Sequence, residues 1–126
     1  MRALILLGLA VTGCATAPDP AKEAEAVRTM PTCVAPRECE VKWSAAREWI
    51  LANAGWKLQT ITPDYIETFN PMSGSPELAV RVQKLAQADG SYKIAVRVWC
   101  DNTFGCRIPP WDAAIDFNRT VSASYP

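Results

Sequence analysis

The segment Leu78-Ala79-Val80-Arg81-Val82-Gln83-Lys84-Leu85 is followed, after Ala88-Asp89-Gly90-Ser91, by Tyr92-Lys93-Ile94-Ala95-Val96-Arg97-Val98-Trp99-Cys100. Side chains on a strand alternate between the two faces of a sheet. That period places Leu78, Val80 and Val82 on one face, and Tyr92, Ile94, Val96 and Val98 on one face of the second run. Arg81, Gln83, Lys93, Arg97 and Trp99 fall on the opposite face. Two alternating runs around an Asp-Gly turn read as an antiparallel hairpin with one dry face and one polar face.

Working outward, Trp56–Thr60 and Tyr65–Asn70 are rich in aromatic and β-branched residues and flank the turn Thr62-Pro63-Asp64. They read as an earlier hairpin, and Pro71–Pro76 reads as the loop joining the two. On the open face, Lys57, Gln59, Tyr65, Glu67 and Phe69 are expected beside the arginines. Before this hairpin, Val41–Ala54 places Trp43, Ala46, Ile50 and Ala54 at helical spacing with Trp49 beside them, and Gly55 follows as an expected C-cap. After the second hairpin, Pro109-Pro110 leads into Trp111–Ala123, whose apolar stripe is Trp111, Ala114, Phe117 and Val121. Proline suits the first turn, where the N–H has no partner anyway, and Asp112 suits the positive helix start. The expected fold is α+β, in the order α-β-β-β-β-α: a four-stranded antiparallel sheet with two helices on one face, burying every apolar stripe at once.

The N-terminus carries a different pattern. Arg2 precedes the apolar run Ala3–Val11, which ends in Thr12-Gly13-Cys14. A membrane-spanning helix needs roughly 20 apolar residues, so this run has the length of a signal-peptide core. Val11-Thr12-Gly13-Cys14 resembles the lipobox of bacterial lipoproteins. The resemblance implies diacylglyceryl attachment to the Cys14 sulfur and cleavage before that residue. It also implies a membrane partner through the lipid, since two or more acyl chains anchor stably. Ala15, where an aspartate would resemble an inner-membrane retention signal, points to the outer membrane, facing the periplasm. Residues 1–13 are thus expected to be a signal peptide, 14–31 a lipidated tether and 32–126 the globular domain. Few large apolar residues lie between 15 and 31, and Ala21–Thr29 is too short a helix to be stable alone.

Assigning Cys14 to lipid leaves Cys33, Cys39, Cys100 and Cys106 from the five cysteines of the chain. Exported cysteines oxidise in pairs, and four allow three connectivities. The repeated spacing Cys33-x₅-Cys39 and Cys100-x₅-Cys106 favours two local bridges over a long-range pair.

Element order is also similar to that of the helix-grip-like repeats of a lipoprotein in the outer-membrane β-barrel assembly machinery. There too a Trp-bearing helix is followed by a Gly-aromatic step, here Gly55-Trp56. Overall the chain resembles small uncharacterised proteobacterial envelope lipoproteins.

The composition narrows the chemistry. Lys plus Arg number 13, as do Asp plus Glu, which argues against a nucleic-acid partner. The chain has no histidine, so the usual general base is missing. No Cys-x-x-Cys spacing or phosphate-binding glycine loop occurs, and no metal site, cofactor or catalytic residue is expected. The candidates are binding residues: Arg81, Arg97 and Trp99 on the open sheet face, and Phe104 in the turn-rich loop Cys100–Cys106. A large aromatic beside arginines is typical of binding anchors. The expected role is a non-enzymatic envelope lipoprotein, structural, adaptor or assembly accessory, docking an envelope protein or glycan. A displayed inhibitor or ligand-binding module is the alternative, and a histidine-free enzyme is a more distant one.

Overall fold

A computed structural model of the chain describes residues 19–126. The expected signal peptide, lipobox and Cys14 lie outside the described residues. Among these residues the fold is α+β with three helices and one antiparallel sheet of five strands, in place of the expected two and four. In chain order the elements are α1 (Pro20–Arg28), β1 (Thr32–Cys33), α2 (Pro36–Asn53), β2 (Leu58–Ile61), β3 (Tyr65–Thr68), β4 (Ala79–Ala86), β5 (Tyr92–Trp99) and α3 (Pro110–Ala123). The strand order across the sheet is β1-β5-β4-β3-β2.

Both expected hairpins form. β4 and β5 pair in continuous register from Ala79↔Trp99 to Ala86↔Tyr92, with Val82 opposite Val96. Alternation does what the sequence requires of it: Leu78, Val80, Val82, Ile94 and Val98 are buried on the helix side. Ile66 of β3 joins them opposite Val82. In β2 the register shifts between Leu58 and Thr60, so Thr60, not Gln59, stands opposite Glu67. This bulge breaks the simple alternation expected of β2.

α2 and α3 close the core over these side chains. Ala46, Trp49 and Ile50 from α2 and Ala113, Phe117 and Val121 from α3 belong to one buried cluster with the sheet. The Trp49 ring meets Phe117 edge-on, with centroids 5.3 Å apart, and its Nε1 donates to Asp116 Oδ2 at 2.8 Å. The indole thus buries its body and satisfies its polar tip. Trp111, expected in the α3 stripe, is 38% exposed, and Ala113 and Ile115 are buried in that helix.

α2 begins at Pro36, earlier than expected, with proline in its first turn. Its C-cap is Ala54, and Gly55 does not take a left-handed conformation, so the expected glycine cap is corrected. Gly55 instead passes close to Glu77 and donates its N–H to the Leu78 carbonyl at 3.0 Å.

The larger departure is at the N-terminal end. The stretch expected as tether is folded from residue 19 onward. Asp19 caps α1 by accepting from the Ala21 and Lys22 N–H groups at 3.1 and 3.3 Å. α1 then packs on α3: Ala26 is buried, Asn118 Nδ2 donates to the Ala26 carbonyl at 2.8 Å, and Lys22 pairs with Asp112. Nine residues are too few for a stable isolated helix, so this one owes its form to tertiary contacts. β1 follows directly, with Thr32 opposite Lys93 and Cys33 opposite Tyr92.

Cys33 is bonded to Cys39 and Cys100 to Cys106, the two local pairs favoured by the spacing. The first bridge ties β1 to the first turn of α2. Beside it, Lys42 Nζ donates to the Thr32 carbonyl at 2.7 Å, and Glu38 lies 3.6 Å from Lys42 while accepting the Val34 N–H.

Candidate functional site

The face of the sheet turned away from the helices gathers a cluster across three strands. Arg81 stands opposite Glu67 of β3 on one side and opposite Arg97 of β5 on the other. Trp99, two residues beyond Arg97, lies diagonal to Arg81, within reach of a long side chain. The Arg97 Cζ sits 5.0 Å from the Trp99 ring centroid and the Arg81 Cζ 5.7 Å. Both cations therefore sit within cation–π range of one indole.

Two like charges standing directly opposite on a sheet repel. Here the repulsion is relieved on both sides. The indole attracts each guanidinium, and Glu67 holds Arg81 through Oε1, at 3.1 Å from Nη2 and 3.3 Å from Nε. Tyr65 completes the chain by donating its hydroxyl to Glu67 Oε2 at 2.6 Å. The Tyr65 hydrogen bond is the main cause holding the Glu67 carboxyl below the usual carboxylate range. Partial burial opposes it, and Arg81 adds to the lowering. The same bond raises the Tyr65 phenol, because losing its proton would set a phenolate against the carboxylate.

Three of the four sequence-predicted binding residues, Arg81, Arg97 and Trp99, are thus brought together. The result differs from a bare aromatic platform: Trp99 is half-buried, and guanidiniums lie over its ring. Arg97 is exposed, whereas Arg81 is committed to Glu67. Phe104 does not join the cluster. It is 100% exposed in the loop closed by the Cys100–Cys106 bridge. That loop is built from local bonds: Asn102 Oδ1 accepts the Phe104 N–H at 2.8 Å, and Asn102 Nδ2 donates to the Gly74 carbonyl at 2.6 Å. The Pro71–Pro76 loop thereby braces it, and this loop carries a second exposed apolar side chain, Met72.

A separate hollow, missed by the sequence reading, opens at the other end of the sheet. Lys84 Nζ lies 5.6 Å from the Trp43 ring centroid and 5.3 Å from that of Tyr92, in a broad depression of about 560 Å³. The alternation already put Lys84 on the helix side of β4; only the tertiary packing of α2 brings Trp43 to it. Its ammonium rests on aromatic faces at the rim of the core, a way to keep a long cationic stem packed and its head wet.

No protein-family model, curated protein or solved structure matches this chain.

Proposed function

We propose that this chain is a lipid-anchored envelope lipoprotein whose domain holds a partner protein on the open sheet face, as an adaptor or assembly accessory and not as a catalyst. The observation that carries the reading is the Arg81–Trp99–Arg97 cluster. An aromatic with two guanidiniums offers area, rigidity and charge in one place, the composition that binding hot spots favour. Because the guanidiniums lie over the indole, its face is less open to a stacked sugar ring. An acidic protein surface suits the cluster better than a neutral glycan. The absence of histidine and the oxidation of Cys33, Cys39, Cys100 and Cys106 support a non-enzymatic role, since neither the usual base nor a thiolate nucleophile is available from them.

The lipobox at Val11–Cys14 supports membrane attachment through lipid on Cys14, and Ala15 supports the outer membrane, with the domain in the periplasm. A second reading has its own observation. Phe104, wholly exposed on a bridged loop, suits a displayed inhibitor or ligand-binding module.

The test is capture from solubilised envelopes by the wild-type chain, by Arg97→Ala/Trp99→Ala and by Phe104→Ala. The adaptor reading expects the double variant to lose its membrane-protein partner while keeping its melting temperature. Capture retained by that variant and lost by Phe104→Ala would transfer the role to the loop.

A further inference from the structure

The sheet is one strand short on the β5 side. β1 covers only Tyr92 and Lys93, and Ile94 adds one more bond by donating its N–H to the Pro31 carbonyl at 2.8 Å. Beyond Pro31 the covering chain is already turning out of α1. Backbone groups on a strand point alternately to the two neighbours. Since the Ile94 N–H points to β1, the N–H and C=O of Val96 and Val98 point the same way. Among the described residues no strand meets them there.

The floor beneath this open edge is built. α1 packs on α3, and residues of both helices line a hollow with Val96 of β5. The floor is apolar: Val27 from α1, Met30 just after it, and Trp111 and Ala114 from α3, with Val96 at the edge. Two adjoining hollows of about 280 and 200 Å³ share Val96, Trp111 and Ala114 and so form one groove along β5. Val27 is 63% exposed and Trp111 38%, although both are large and apolar. Asn118, 2% exposed, also lines the groove, and its Oδ1 has no hydrogen-bond partner among the described residues. Its orientation is fixed, because Nδ2 is spent on the Ala26 carbonyl.

We propose that this edge takes an extended segment of a partner protein as an added strand, with apolar and acidic side chains in alternation. Strand addition uses the bare main-chain groups for affinity and alternate side chains for specificity. One set of side chains drops into the groove against Val27, Met30, Trp111 and Ala114. The other set lies on the outer side next to Arg97, where a carboxylate is favoured. A second copy of the same edge fits less well, since it would bring a second Arg97 to that outer side. The inference needs neither the lipid anchor nor capture by the open face.

The probe is a labelled seven-residue peptide alternating valine and glutamate, titrated against the full chain. Amide exchange at Val96 and Val98 should slow on binding. Replacing glutamate by lysine should weaken binding by about tenfold, the scale of one charge contact, and Arg97→Glu should reverse that preference. Methylating the peptide nitrogens of all valines, or of all glutamates, should abolish binding in one phase and spare it in the other, because only one set faces β5. Equal effects of the two phases, or unchanged exchange at Val96 and Val98 under saturating peptide, would overturn the proposal. So would concentration-dependent dimers that protect those amides without peptide. Arg81→Ala, one strand further in, should leave peptide binding unchanged while weakening capture on the open face, so the two readings fail separately.

Discussion

Asn118 of α3 donates from Nδ2 to the Ala26 carbonyl of α1 at 2.8 Å, joining residues 92 apart in the chain. The same nitrogen lies 3.1 Å from Thr29 Oγ1. Because both groups are shielded from water, the bond adds to the Ala26 packing and the Lys22–Asp112 pair in holding α1 on α3. Asn118→Ala should cost about 1–3 kcal/mol, the range for stranding a buried polar partner. Asn118→Asp should cost more, because it sets an acceptor against the Ala26 carbonyl and buries a charge. Denaturant unfolding of both variants, with limited proteolysis at residues 20–30, checks the order. Stability of Asn118→Ala equal to that of the wild type would show that the amide donor is irrelevant.

The two disulfides close loops of the same span but lie in different surroundings. Cys33 and Cys39 are part of the core, at 0% and 7% exposure, whereas Cys100 and Cys106 sit on a half-exposed loop. Loop-closure entropy alone gives each bridge about 2 kcal/mol. Replacing both members by alanine should therefore cost more at Cys33/Cys39, where packing is lost as well, than at Cys100/Cys106. Thermal unfolding gives the ranking, and intact mass with and without reduction gives the number of bridges together with any lipid on Cys14.

Strand alternation made the β4–β5 hairpin and the Arg81–Arg97–Trp99 face legible, because a period of two is a local property, while the β2–β3 hairpin showed in its aromatic and β-branched composition around Thr62-Pro63-Asp64. The docking of α1, read only as a short helix unstable alone, and the existence of β1 were not legible, for physical reasons. α1 buries Ala26 and depends on an amide at Asn118, and neither produces a stripe of large apolar side chains. β1 is two residues long, too short to alternate, and is held by its register with Tyr92 and Lys93 and by the Cys33 bridge. The start of α2 did carry a signal: Pro36 occupies the first turn as Pro110 does in α3. The open β5 edge follows from the shortness of β1 and the docking of α1 together, so no local pattern could announce it.

Glu67 links the open face to pH. Its folded pKa lies below the ordinary 4.5, with the Tyr65 hydroxyl as the first cause. A lowered folded pKa means that the group stabilises the fold above its unfolded value. That contribution is lost as pH falls through the folded value. Tyr65→Phe removes the hydroxyl and keeps the ring, so the Glu67 pKa should rise toward the ordinary value and the stability difference from wild type should shrink in acid. Carboxyl resonances followed by NMR across pH 2–6 would read this directly. A Glu67 titration unchanged by Tyr65→Phe would mean that Arg81 alone sets it.

Gly55 is needed for space and not for its backbone freedom. A Cβ built there would clash with Glu77 Oε2 and lie 2.5 Å from its Cβ and 2.9 Å from its Cγ. The carboxylate end can swing aside, at the cost of the Glu77–Arg107 pair, which is 3.3 Å and partly exposed. The Glu77 Cβ cannot swing, because it is fixed to a backbone whose carbonyl accepts from Trp56 Nε1 and whose neighbour, Leu78, accepts from the Gly55 N–H. Gly55→Ala should therefore destabilise by about 1–3 kcal/mol, the range for forcing an extra carbon into packed structure. Adding Glu77→Ala should not restore the loss, since alanine keeps the offending carbon, whereas adding Glu77→Gly should recover part of it. Melting temperatures of the three variants separate the cases: full rescue by Glu77→Ala would place the clash at the carboxylate and make Gly55 dispensable.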